Sequence, residues 1–157
     1  MKKIIIIGAG AMGSAFAIPC TDNKNEVTLV GTHLENELIK VIKSNNNLHP
    51  ALKLELPPEL KIEEFNKLNS LLEEKVDIIV AGVSSVGVDW FVNQISKNYK
   101  KNIPIILLTK GLALVEGELM TLSDKIKKLL REKGHQEVNV SAIKGPCLAV
   151  GLANKMR

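Results

Sequence analysis

Lys3-Ile4-Ile5-Ile6-Ile7-Gly8-Ala9-Gly10-Ala11-Met12-Gly13 is the stretch on which the fold turns. Its four consecutive isoleucines show no polar alternation, the pattern of a strand buried on both faces of a parallel sheet. Gly8, Gly10 and Gly13 follow at once in a G-x-G-x-x-G spacing. Placed after a strand and at the opening of a helix, that spacing has a mechanism. Gly8 permits a tight turn, Gly10 lets the backbone approach a pyrophosphate, and Gly13 allows helix and strand to pack closely. The free N–H groups of the helix start then face the phosphates. The same run imitates a secretory signal, with Lys2 and Lys3 ahead of it and Ala15-Phe16-Ala17 as a cleavage-like site. A signal peptide does not require the glycine spacing, so the fingerprint decides.

Working outward, Ala11 to Cys20 reads as the first helix, with Pro19 expected to end or bend it. Glu26 to Val30 is a second strand, and Leu34 to Lys43 an amphipathic helix ending at Ser44-Asn45-Asn46-Asn47. Leu48 to Leu60, broken by Pro50, Pro57 and Pro58, reads as loop, and Glu63 to Lys75 as helix. Buried-strand runs at Val76–Val83, Ile103–Leu108 and Asn139–Ile143 alternate with helices at about Val88–Asn98 and at Glu118–Lys133. Continuous apolar strands alternating with helices predict a doubly wound α/β Rossmann fold: a mostly parallel sheet in three α/β/α layers. Five strands are counted this way, and Ala149 to Arg157 begins a helix at the chain's end. Such folds usually have six strands. The last strand and anything beyond it are therefore expected to be missing, and residues 1–157 to form one truncated dinucleotide-binding domain.

Composition narrows the partners. The chain has 157 residues, 45% of them hydrophobic and 24% charged, which excludes a disordered tail or a fibre. Its 21 basic residues are spread along the chain, nearly all Lys, against 17 acidic ones, and aromatics are only 3%. With no arginine cluster and few rings to stack on bases, nucleic acid is not an expected partner. No apolar run approaches the ~20 residues that span a bilayer. Cys20 and Cys147 lie far apart, at no metal or redox spacing, and read as reduced thiols of a cytoplasmic protein. No metal site is expected. His33, His49 and His135 read as solvated loop residues.

Ligands of open α/β sheets bind at the carboxyl ends of strands. At the end of the second strand the chain reads Leu29-Val30-Gly31-Thr32-His33. No carboxylate stands there to select NAD, and no Arg to select NADP, while Thr32 and His33 could donate to a 2′-phosphate. The cofactor is accordingly NAD or NADP. Two more such ends carry Leu107-Leu108-Thr109-Lys110-Gly111 and Lys144-Gly145-Pro146-Cys147-Leu148-Ala149, and Ser84-Ser85-Val86-Gly87 forms a less specific third.

Together these pieces resemble the NAD(P)-dependent glycerol-3-phosphate dehydrogenases of bacterial and archaeal type. The resemblance rests on Gly8–Gly13, Leu56-Pro57-Pro58-Glu59-Leu60, Asp77-Ile78-Ile79-Val80 with Ser84-Ser85, Thr109-Lys110-Gly111-Leu112 and Gly145-Pro146-Cys147-Leu148-Ala149. It covers the family's N-terminal cofactor domain. The resemblance implies hydride transfer between NAD(P)H and a small phosphorylated three-carbon substrate, dihydroxyacetone phosphate or sn-glycerol 3-phosphate. Ala11 and Met12 match cofactor contacts of the glycine loop, Thr32 and His33 the adenosine-ribose position, and Ala149 a further cofactor contact. Lys110 matches a lysine reaching both cofactor and substrate, and Gly145 and Cys147 match substrate contacts. The family's main catalytic lysine lies in a helical C-terminal domain outside this chain, so Lys110 is an assisting group and the fragment alone is expected to be inactive. A homodimer of the full-length protein is compatible with this. The alternatives are a ketopantoate-reductase-like two-domain enzyme and a stand-alone nucleotide-binding or redox-sensing module.

Overall fold

The computed structural model describes residues 1–100, 102–143, 145 and 148–156. In chain order, β1 (Lys3–Ile7) leads into α1 (Ala11–Asp22), β2 (Glu26–Val30) and α2 (Asn36–Ser44). A short antiparallel pair, β3 (Leu48–His49) and β4 (Leu54–Glu55), precedes β5 (Lys61–Glu63) and α3 (Leu68–Glu73). Then come β6 (Ile78–Ala81), α4 (Val88–Ile95) and β7 (Ile105–Leu107). A hairpin of β8 (Leu112–Val115) and β9 (Glu118–Thr121) runs into α5 (Leu122–Glu132), followed by β10 (Val140–Ala142) and α6 (Ala149–Ala153).

The main sheet is parallel, with strand order β10-β7-β6-β1-β2-β5. Counted along the chain within that sheet, this is the 3-2-1-4-5-6 order of doubly wound dinucleotide folds. The expected α/β Rossmann class therefore stands, but the expected strand count does not. A sixth strand is present: Lys61–Glu63, read as the junction of a loop and a helix, pairs with β2 from Thr28↔Lys61 to Val30↔Glu63. Three residues with a single buried side chain, Ile62, carry too little pattern to announce an edge strand.

The isoleucine run explains the layers. Ile5 and Ile7 face one apolar cluster with Phe91 and Ile95 of α4, Leu72 of α3 and Ile126 of α5. Ile4 and Ile6 face the opposite cluster, with Ala15 and Ile18 of α1, Ile39 of α2 and Ala153 of α6. Successive strand residues point to opposite faces, so a strand covered on both sides has no polar position to spare.

Two further expectations change. Helix α1 runs past Pro19 to Asp22. Pro19 removes one donor, but Asn23 N–H still reaches the Pro19 carbonyl (3.2 Å) and the Thr21 hydroxyl the Ala17 carbonyl (2.9 Å), so the last turn holds. The expected helix from Glu118 begins at Leu122 instead, because residues 112–121 form the β8–β9 hairpin. Glu116 and Gly117 both have positive φ, +53° and +85°, the hairpin-turn pattern whose twist matches the flanking strands. The Thr121 hydroxyl accepts from Asp124 N–H at 3.1 Å and caps α5 there. Among the described residues, no helix is long and apolar enough to cross a membrane.

Candidate functional site

The order of the sheet reverses between β1 and β6, and the crevice beyond their carboxyl ends is where such folds take ligands. The glycine loop fills that point. Gly8 has φ +113°, and a Cβ on it would lie 2.6 Å from the Gly82 carbonyl oxygen, so only glycine fits. A Cβ on Gly13 would lie 2.0 Å from the Gly8 carbonyl oxygen, which is the close helix–strand approach expected of it. Gly82, after β6, is a further glycine of this contact, 3.0 Å from the Gly8 oxygen by the same measure, and sequence reading did not single it out. Gly10 differs: the nearest atom to a Cβ there is Glu35 Oε1 at 3.6 Å. Its open side faces the cleft, where a ligand would approach.

Helix α1 makes its first backbone bond from Ser14 N–H to the Gly10 carbonyl, 3.0 Å. The N–H groups of Ala11, Met12 and Gly13 therefore have no acceptor within the helix, the usual condition for holding an anion at a helix start. The residues present thus fit a dinucleotide's pyrophosphate.

Beside the loop lies a cleft of about 450 Å³, lined among others by Gly10, Thr32, His33, Glu35, Val83 and Trp90. Thr32 and His33 both line it. The His33 ring lies 5.0 Å from that of Trp90, and Phe65 packs against both, so the cleft has an aromatic wall. The carboxylate that sequence reading did not find at the end of β2 is supplied from the start of α2. Glu35 Oε2 accepts N–H bonds from Ala9 (3.0 Å) and Thr32 (2.7 Å). The chain doubles back through Leu34, so Glu35 reaches a place that a count along the strand assigns to Thr32 or His33.

Of the three histidines, His33 is exposed, as expected. His49 is not: it is 1% exposed and bonds the Ala9 carbonyl through Nε2 at 3.0 Å. Leu48–Leu60 reads as loop in the sequence, yet Leu52, Leu56 and Leu60, with Ile62 just after, are buried in the α1-side cluster and draw His49 inward with them. His135 is half-buried, bonded to the Ser96 carbonyl (2.8 Å) and set edge-on to Tyr99.

Two other strand ends also meet. Lys110, exposed after β7, donates to the Gly145 carbonyl after β10, so two ends 35 residues apart meet. Thr109 donates to the Val83 carbonyl and ties this edge to the end of β6. Ala149, at the start of α6, packs in the same apolar cluster as Ala11 and Met12. Cys147, with Lys144 and Pro146, lies outside the described residues. Burial pushes the Cys20 thiol up to about 11, which keeps it protonated and a poor nucleophile.

A family model described as the N-terminus of NAD-dependent glycerol-3-phosphate dehydrogenase matches residues 3–157. The chain belongs to this family. It is 34% identical over 155 residues to an NADP(+)-dependent glycerol-3-phosphate dehydrogenase of Archaeoglobus fulgidus, covering 98% of this chain and 44% of that protein. It is 34% identical over 156 residues to a glycerol-3-phosphate dehydrogenase [NAD(P)+] of Mesoplasma florum, with the same coverage of 98% and 44%. The crystal structure of glycerol-3-phosphate dehydrogenase from Coxiella burnetii superposes with a TM-score of 0.75 at 24% identity, over 98% of this chain and 43% of that one. That likeness shows the fold. This glycerol-3-phosphate dehydrogenase N-terminal chain thus spans less than half the length of the curated relatives it matches.

Proposed function

We propose that residues 1–157 are the nicotinamide-dinucleotide-binding part of a glycerol-3-phosphate dehydrogenase. The observation that carries this is the loop at the reversal point of the sheet. It is closed to side chains at Gly8 and Gly13, open at Gly10, and presents a helix start to the cleft. Gly10, Ala11 and Met12 would hold the pyrophosphate, Thr32 and His33 the adenosine ribose, and Ala149 would contact the cofactor across α1. When bound, the reduced cofactor supplies a hydride to a ketone carbon. The Lys110 ammonium, past the carboxyl end of β7, would donate to the carbonyl oxygen as negative charge builds there. Gly145 would lie at the same substrate edge, and Cys147 is assigned to it by the family resemblance alone. In this reading Lys110 is an assisting group, in a chain that covers 44% of the curated relatives' length. The substrate in this reading is dihydroxyacetone phosphate or, in reverse, sn-glycerol 3-phosphate.

Trp90 is the one tryptophan of the chain and lines the cleft, so it can report binding directly. A bound reduced nicotinamide should quench Trp90 emission and be excited through it. Titration with NADH and NADPH in parallel should show such a signal with at least one of them. A folded chain that shows it with neither would refute the reading.

The position of Glu35 adds a prediction about cofactor choice. Its carboxylate holds a negative charge at the ribose side of the cleft, and the charge of a 2′-phosphate would oppose it. Glu35→Gln keeps a carbonyl oxygen for the two N–H groups and removes the charge. The ratio of NADPH to NADH affinity is expected to rise about three- to tenfold. An unchanged ratio would place the carboxylate away from the ribose.

A further inference from the structure

We propose that Glu35 and His49 are positioning residues that hold the phosphate-binding loop ready by gripping Ala9, the residue between its first two glycines, from both sides. The proposal rests on the cofactor reading above and adds to it two residues that no part of the glycine fingerprint contains.

Ala9 is fully buried, and each of its backbone groups is taken. Its N–H donates to Glu35 Oε2 at 3.0 Å. Its carbonyl accepts from His49 Nε2 and from the Ser14 hydroxyl, both at 3.0 Å. The proton on His49 is assigned by its neighbours. Leu52 N–H points at Nδ1 from 3.3 Å, so Nδ1 accepts. The neutral ring then carries its hydrogen on Nε2, and that hydrogen meets a carbonyl that can only accept.

The two peptide planes on either side of Ala9 are therefore fixed by side chains from different parts of the fold. Glu35 comes from the residue that precedes α2, and it bonds Thr32 N–H with the same oxygen, joining the end of β2 to the loop. His49 comes from β3, in the small antiparallel pair outside the main sheet. The need for a grip is local. Gly8 and Gly10 are the most freely rotating residues a backbone can have, and a loop that must order itself on binding loses affinity. A phosphate-binding N–H array is effective only if its dipoles already converge. Ser14 alone cannot supply this, since it belongs to the helix whose start it would have to place.

The test compares the wild-type chain with Glu35→Ala, His49→Leu and His49→Gln. Amide hydrogen exchange is read at Ala9 and at Ile5 and Ile6 of β1, together with the NADH affinity from the Trp90 signal. Glu35→Ala is expected to speed exchange at Ala9 at least about tenfold with no change at Ile5 and Ile6. It should also weaken NADH about tenfold, as should His49→Leu. His49→Gln, whose side-chain N–H can still reach the Ala9 carbonyl, should recover affinity to within about threefold. Unchanged Ala9 exchange in Glu35→Ala would overturn the proposal. So would His49→Gln and His49→Leu being equally impaired, because a residue that only fills space is not rescued by a donor. If His49→Leu does not fold, the half-exposed Glu35 and the donor-keeping Gln variant still decide the matter. A wild-type chain that binds no NADH yet shows the Ala9-specific exchange would refute the cofactor reading and leave the grip itself standing.

Discussion

Gly10→Val is expected to leave the chain folded and to abolish dinucleotide binding, whereas Gly13→Ala is expected to damage the fold itself. The two glycines belong to one fingerprint, and the structure separates their roles. At Gly10 a Cβ meets only Glu35 Oε1 within 4 Å, at 3.6 Å, and the backbone is in an ordinary extended conformation with φ −63° and ψ 175°. Valine there costs the protein little, but its two methyl groups occupy the face where a pyrophosphate must approach the N–H array. The loss of affinity should be about a hundredfold or more. At Gly13 even one methyl group would lie 2.0 Å from the Gly8 carbonyl oxygen, an atom of the backbone that cannot rotate away. The helix must then lift from β1, at a cost of about 2–4 kcal/mol. For a domain of this size that lowers Tm by roughly 5–15 °C. Thermal melts of both variants beside their NADH titrations check the pair. A Gly10→Val chain that is folded and binds normally would remove the loop from the site.

The second large effect is expected at Lys110, in the full-length enzyme. Lys110→Met should lower kcat for ketone reduction by about a hundredfold, with a smaller change in KM. The ammonium is exposed and its described partner is one carbonyl, that of Gly145. Its loss should move the stability of this domain by less than about 0.5 kcal/mol. That split between rate and stability is what identifies a group acting on the reacting atoms. A turnover that is unaffected would make Lys110 a turn residue at the end of β7.

The same logic separates what was legible in the chain from what was not. Each element read correctly rests on a pattern contained in its own neighbours. β1 and β6 are short runs without polar alternation, because both faces of a central strand are covered. The fingerprint is likewise local: six residues state which positions cannot carry a Cβ, and Gly8 and Gly13 meet backbone where that reading places them. Thr109-Lys110-Gly111 and Gly145 were recognisable as strand ends because the strands ahead of them were.

What escaped the reading depends on where the chain travels before it returns. Lys61–Glu63 becomes a strand only because β2 offers it an unpaired edge, and its three residues contain no period of their own. His49 reads as a loop histidine until the leucines after it, Leu52, Leu56 and Leu60, bury that segment against α1 and set its ring on Ala9. Glu35 lies past the strand end at which a ribose-reading acid is sought, and only the turn through Thr32 to Leu34 carries it back. By itself the sequence determined the fold class, the family and the glycine loop between the first strand and the first helix, since these are written in short-range spacing and in which positions must be apolar or lack a side chain. The tertiary structure alone decided which distant side chains hold that loop in place and which charge stands beside it, because hydrogen bonds of about 3 Å between residues 26 and 40 positions apart are set by how strands pair and helices pack.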